Sequence, residues 1–166
     1  MKYFIGIDNG LDGGIVVLGE NGEIHMKCVM PVIKLGKGRA VNVHNIDAIL
    51  GGLSIQTMAL LENASKHSPG VLALCSTWYS LGCVETVLKI SGTRYDLINP
   101  QKWQKEFWTR PKMPKGTKFD TKAAALNAAN KLWPGTDWTK SERASKPHDG
   151  IVDAALLAEF ARRNQL

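Results

Sequence analysis

Cysteine is scarce in this chain, with three residues among 166: Cys28, Cys75 and Cys83. An odd count closes no disulfide framework, and none of them stands in a CxxC pair. No histidine lies at ligand spacing from them, which argues against structural zinc. All three read as small core or helix-face residues. Long apolar runs are also lacking: none approaches the roughly 20 residues that cross a bilayer, so no membrane partner is expected. The N-terminus passes almost directly into Tyr3-Phe4-Ile5-Gly6-Ile7, without the basic region and small-residue cleavage site of a secretory signal. A cytoplasmic location, with no signal or transit peptide, is the expectation. Internal repeats, low-complexity segments and linkers are absent too, so residues 1–166 are expected to form a single domain, long enough to bury one substantial core.

What the chain does have is positive charge, a net +6 with 44% hydrophobic and 22% charged residues. A basic domain of ordinary composition is compatible with a polyanionic partner. Lys102, Lys105, Arg110, Lys112, Lys115, Lys118 and Lys122 fall in one stretch, opposed only by Glu106 and Asp120. Trp103 and Trp108 are interleaved with them. Tryptophans there can stack on bases, but they read more readily as packing anchors. A second basic stretch, residues 31–43, carries Lys34, Lys37 and Arg39 between Pro31, Gly36 and Gly38, and reads as a mobile loop. Lys37, Arg39, Lys102, Lys105, Lys115, Lys118 and Lys122 are the candidate nucleic-acid contacts.

The opening pattern predicts three strands joined by short turns. Lys2 to Asp8 comes first, then a glycine turn over Gly10 to Gly14, then Ile15 to Leu18. Glu20-Asn21-Gly22-Glu23 carries a tight-hairpin signal before Ile24 to Val29. Helical spacing marks Asn45 to Leu53. Met58 to Leu61 is a buried-strand candidate ending at Glu62. Pro69-Gly70 precedes a long apolar helix over 71–90, closed by Ser91-Gly92 and read as mostly core, with length to spare for a dimer seam. Tyr95 to Ile98 is a further strand, stopped by Asn99-Pro100. A basic connector follows, then a helix from Thr121, its expected cap, to Leu132. Residues 135–147 read as a loop, and a last helix runs from His148 to Arg163. Hairpins first and crossover helices later predict a mixed sheet.

Four of the fifteen carboxylates stand in contexts that plain surface placement explains poorly. Asp8 ends an apolar strand before a glycine turn, and Glu62 ends Met58-Ala59-Leu60-Leu61. Asp149 and Asp153 are four apart, so a helix places them on one face, followed by the apolar surface Ala154 to Ala158. Each has a bland alternative: a turn residue at Asp8, a helix cap at Asp149, a strand terminus at Glu62, a solvated face at Asp153. If the strand ends are adjacent and the helix crosses them, the four converge. Clustered carboxylates repel, and divalent cations relieve that repulsion. Two Mg²⁺ ions in such a site serve phosphodiester hydrolysis. His148 can be a ligand, a base or simply the residue that starts the helix. The turn Gly10-Leu11-Asp12-Gly13-Gly14 also suits the phosphate-binding hairpin of sugar-kinase-like ATPases. Those need two such domains, and no second hairpin is present, so no nucleotide cofactor is expected.

These residues carry a family likeness. Ile5-Gly6-Ile7-Asp8-Asn9-Gly10 resembles the opening of RuvC-type Holliday-junction resolvases, with Asn9 in place of the usual proline. Leu61-Glu62-Asn63 resembles their second acidic strand. Asn99-Pro100-Gln101-Lys102-Trp103 is similar to a Pro-x-x-Trp-Lys segment of phage and chloroplast members, and Lys122 to Pro134 to their lysine-led helix. His148-Asp149-Gly150-Ile151-Val152-Asp153-Ala154 resembles the closing acidic helix, although its acidic spacing of four departs from the three of many bacterial members.

The resemblance implies an α/β, ribonuclease-H-like mixed five-stranded sheet flanked by helices, and a homodimer that makes paired nicks in four-way DNA junctions with Mg²⁺, or Mn²⁺ in its place. By position, Asp8, Glu62, Asp149 and Asp153 are its implied catalytic metal ligands. Lys102 or Lys105, and Lys122, are implied at the phosphate or reacting centre. A bacterial cell or phage-infected host is the implied setting. The alternatives kept open are a broader branched-DNA or flap nuclease of the same fold, and a non-catalytic junction-binding protein.

Overall fold

Alternation along the first strand decides how the whole chain is layered. The computed structural model describes residues 2–53, 57–64 and 70–166. Strand β1 (Tyr3–Asp8) is followed by β2 (Gly14–Gly19) and β3 (Ile24–Val29), then by a hairpin of β4 (Val32–Leu35) and β5 (Gly38–Val41). Helix α1 (Val43–Gly51), β6 (Thr57–Glu62), α2 (Val71–Ile90) and β7 (Arg94–Ile98) come next. The chain closes with α3 (Pro100–Phe107), α4 (Thr121–Leu132) and α5 (Asp149–Arg163). The main sheet has five strands in the order β3-β2-β1-β6-β7. The meander β1-β2-β3 is antiparallel, whereas β6 and β7 run parallel to β1. This is the mixed sheet the hairpin-then-crossover pattern predicts.

The strands β1, β2 and β6 are apolar on both faces because both faces are covered. Ile5, Ile7, Ile15, Val17, Ala59 and Leu61 pack with α1 and α2. Phe4, Val16, Leu18 and Leu60 pack with α3, α4 and α5. Side chains two apart share a face, so Asp8 follows Phe4, and Glu62 follows Leu60, onto the α5 side.

Helix α5 lies unusually close to that face. A Cβ at Gly6 would stand 1.9 Å from the Ala154 carbonyl oxygen and 2.5 Å from the Ala158 nitrogen. One at Gly14 would stand 2.7 Å from the Gly150 oxygen, and one at Gly150 would meet the Gly13 backbone at 2.5 Å. The contact is backbone against backbone, and the alanine-rich face of α5 completes it, with Ala154, Ala155, Ala158 and Ala161 fully buried.

Several elements differ from the sequence expectation. Residues 31–43 are not a loop but carry the β4–β5 hairpin. Their alternating Val32, Lys34 and Ile33, Leu35 suffice for a short ribbon, and Gly36 takes the left-handed conformation at its tip. The basic connector begins with α3, whose Asn99 side chain caps the Gln101 N–H and whose Pro100 occupies the first turn. The cap of α4 is Asp120 rather than Thr121, accepting from the Ala123 N–H at 3.0 Å. Helix α2 is less of a core helix than its composition suggests. Only Ser80, Leu81, Val84, Val87 and Leu88 are buried along it, while Leu72 is 87% and Tyr79 60% exposed. Among the described residues it is also the one helix long and apolar enough, by length and composition, to cross a membrane, with mean hydropathy 1.4. Small polar residues interrupt its apolar run, and its charged residues, Glu85 and Lys89, come only near its C-terminal end, which is why counting apolar runs misses it. Cys75 is exposed on α2, and Cys28 and Cys83 are half-buried; all three are free thiols.

Gly6→Ala is expected to destabilise the protein by about 3 kcal/mol, the upper end for overpacking, because backbone on both sides must shift. Gly82→Ala, in α2 with nothing within 4 Å, is expected to gain about 0.5–1 kcal/mol from helix propensity. Urea denaturation of the two variants checks the contrast; equal effects would mean that the α5 contact tolerates a side chain.

Candidate functional site

Parallel pairing of β1 with β6, in the register Ile7 opposite Leu61, brings the last residues of the two strands side by side. Those residues are Asp8 and Glu62. Helix α5 starts at the same end of the sheet, and its first residue is Asp149. Asp153, one turn further, is the half-buried position between buried Val152 and Ala154. The site is therefore where two strands stop and a helix begins over them.

Its electrostatics are those of crowded like charges. Burial, then repulsion from Asp8, pushes the Glu62 carboxyl up to about 7, although the Trp103 N–H bond opposes the rise. Burial, followed by Asp8, Glu62 and Asp149, raises Asp153 to about 8 against the pull of Lys122. Asp8 is raised as well, chiefly by burial. Its counterweights are the Gly10 N–H, which donates to Asp8 Oδ1 at 3.2 Å, and the nearby imidazole of His148. Asp149 is different: its side chain is exposed and forms an ion pair with Lys122, the second residue of α4. That partner holds the Lys122 ammonium above its ordinary range.

His148 precedes α5 without a side-chain cap bond. Its main-chain N–H donates to the Trp138 carbonyl at 2.8 Å. Its Nδ1 is buried and, among the described residues, has no hydrogen-bond partner. Among the described residues, no three His, Cys, Asp or Glu side chains stand close enough together to hold one ion as they are. The carboxylates share an end of the sheet and feel one another without touching. As a donor set they fit a hard divalent cation: oxygen ligands, partly buried, holding protons that a cation displaces.

Of the basic candidates, Lys122 alone is drawn into this group. Lys102 and Lys105 are exposed on α3, and Lys115 and Lys118 are exposed in the segment leading to α4. Lys37 is exposed beside the hairpin tip, while Arg39 makes a two-pronged ion pair with Asp12 of the glycine turn, at 3.0 and 3.2 Å. Three participants have no local sequence signal. Asn9, 4% exposed, donates from Nδ2 to the Glu62 carbonyl at 2.6 Å. Trp103, fully buried, donates from Nε1 to Glu62 Oε2 at 3.1 Å. Asp12 is the partner that draws Arg39 toward the turn. Trp108 is half-buried edge-on against Trp103, so both tryptophans pack with the core.

No family model and no curated protein matches the sequence. Among solved structures the chain is similar to Thermus thermophilus RuvC in complex with a Holliday junction substrate. The TM-score is 0.58 at 14% identity, covering 99% of this chain and 96% of that one. A second Thermus thermophilus RuvC structure is similar at TM-score 0.53 and 14% identity, covering 98% and 96%. The fold is thus the ribonuclease-H-like one of RuvC, with its mixed five-stranded sheet and flanking helices.

The raised carboxyls set a pH dependence. Ordinary values are 4.5 for Glu62 and 3.8 for Asp153, and the folded values of about 7 and 8 lie above them. Between those limits the folded state binds more protons than the unfolded one, so stability falls as pH rises. In chelator, the melting temperature is expected to drop from pH 5 to pH 8. Asp153→Asn flattens the drop, and so does saturating Mg²⁺ at the upper end. A melting temperature that climbs across this window would show that the carboxylates are not crowded as described.

Proposed function

We propose that this chain is a structure-selective DNA endonuclease, resolving four-way junctions by metal-dependent hydrolysis as a homodimer. One observation carries the reading: Asp8 and Glu62 end adjacent parallel strands under the start of α5, where Asp153 and Asp149 complete a set of four carboxylates. A protein that only binds phosphate gains nothing from negative charge gathered at one point. The whole-length likeness to a RuvC bound to junction DNA supports the same conclusion.

In this reading Asp8, Glu62 and Asp153 would hold Mg²⁺ or Mn²⁺, with Asp149 at the rim. Bound there, such ions would supply activation of a water and charge neutralisation at the departing 3′ oxygen. The protein's own part is to orient and to balance charge. Glu62 and Asp153, whose carboxyls burial raises to about 7 and about 8, would hold the ions as carboxylates, so that ion binding would be coupled to proton release. Lys122, held by Asp149, presents an ammonium that steadies charge building on the phosphate. Lys102, Lys105, Lys115 and Lys118 lie exposed along α3 and the segment leading to α4, and they would neutralise the backbones of the arms. Lys37 and Arg39 extend the contact from the hairpin.

The homodimer rests on α2. Val71, Leu72, Trp78, Tyr79 and Ile90 expose large apolar surface along it. A second copy is the simplest cover for such a face, and paired nicks need two active sites.

End-labelled four-way junction and matching duplex, incubated with and without Mg²⁺, test the reading. Paired nicks in opposing strands of the junction alone are expected. Equal cleavage of every branched or linear substrate would favour the broader nuclease, and tight binding without cleavage in either metal would leave a binding protein. Asp8→Asn is expected to abolish cleavage while leaving junction affinity intact or tighter. Lys118→Ala and Lys122→Ala are each expected to lower the salt slope of binding by about one unit per lost phosphate contact.

A further inference from the structure

Glu62 is held at more points than any other carboxylate of the site. Its carbonyl accepts the Asn9 Nδ2–H at 2.6 Å. Its Oε2 accepts the Trp103 Nε1–H at 3.1 Å. The next residue, Asn63, donates its main-chain N–H to the Ile98 carbonyl at 2.8 Å. Among the described residues no donor reaches the other carboxyl oxygen, Oε1.

Each holding group is itself fixed. Asn9 is buried and follows Asp8 directly, so its bond spans from the end of β1 to the end of β6. Trp103 is fully buried in the α3–α4–α5 layer and stacks edge-on with Phe107 and Trp108. Its helix is capped by Asn99, the residue directly after β7, and β7 pairs with β6. The indole N–H therefore arrives from a rigid frame, not from a side chain free to choose its partner.

Neither residue is needed in this form by packing alone. Packing accounts for the buried bulk of the indole and of the Asn9 side chain, but not for their two N–H groups. What only the polar versions supply is a donor aimed at Glu62. The Trp103 bond also favours the ionised carboxylate, against burial and Asp8.

We propose that Asn9 and Trp103 are positioning residues for Glu62. Asn9 fixes the spacing of the two strand ends, and Trp103 takes up one carboxylate oxygen so that the other is left for a divalent cation. This inference rests on the metal-site reading above. Partners of this kind that orient a metal ligand typically change metal affinity or activity by about 10–100-fold.

Mn²⁺ binding, followed by electron paramagnetic resonance of the free ion without DNA at pH 8, tests it. Wild type, Trp103→Phe, Asn9→Ala, Glu62→Gln and the double variant Trp103→Phe/Glu62→Gln are compared, with melting in chelator to check the fold. Trp103→Phe and Asn9→Ala are each expected to weaken Mn²⁺ binding by about tenfold or more, with junction affinity in chelator unchanged. The double variant should bind Mn²⁺ no more weakly than Glu62→Gln alone, because Trp103 acts through that carboxylate.

A lower melting temperature with an unchanged Mn²⁺ midpoint would make both residues merely structural and overturn the proposal. So would additive losses in the double variant. If Trp103→Phe does not fold, Asn9→Ala decides. Failure of Glu62→Gln itself to weaken Mn²⁺ binding would instead overturn the metal-site reading, and the positioning role with it.

Discussion

The close seating of α5 on β1 and β2 is the contact from which the rest of the site follows. Gly6, Gly14 and Gly150 leave no side chain between helix and sheet, and the alanines of α5 keep the distance short along its length. Dispersion and burial reward that approach only if both surfaces are flat. The same flatness carries Asp153 down onto the strand ends, where a bulkier seam would hold it in solvent. Packing and chemistry are therefore the same contact seen at two heights of one helix.

The site works against the stability that the seam supplies. Burial pushes Asp8, Glu62 and Asp153 toward their neutral forms; Asp8 adds to the rise at Glu62, and Asp8 and Glu62 add to the rise at Asp153. An apolar cluster would be more comfortable at the end of this sheet. The protein instead keeps groups whose repulsion falls only when a cation or a proton joins them. Around this point the compensating contacts are arranged: the Gly10 N–H on Asp8, the Trp103 indole on Glu62, and Lys122 on Asp149. Polar bonds from donors fixed by the fold or paired at its rim are the means by which like charges are held still.

Much of this was legible in the chain itself, for identifiable reasons. The limits of α2 and α4 follow from Gly70 and Ser91-Gly92, and from Pro134-Gly135, all local signals. The mixed sheet follows from tight turns early and helical crossovers late. Asp8 and Glu62 were visible as acids that end apolar strands. The β4–β5 hairpin was hidden because its glycines and lysines look like loop composition while its short alternation, Val32 to Leu35, spans only four residues. Helix α3 was hidden because Asn99-Pro100, read as the end of a strand, is equally the start of a helix. The Trp103–Glu62 bond was out of reach for a different reason. Its partners are 41 residues apart, and only the pairing of β6 with β7 brings them together.

The parity of the strands has a consequence for how such a chain can change over time. Asp8 and Glu62 face α5 because each stands an even number of residues from a core side chain on that face. Adding or removing one residue within either strand would turn its carboxyl into the opposite layer, among Ile7, Leu61 and Leu81. Apart from Gly6, where no side chain fits against α5, the core positions of these strands tolerate apolar substitutions better than changes of length. Drift in this part of the molecule is thus confined to spelling, and insertions must collect in the turns and in the segments between α3, α4 and α5.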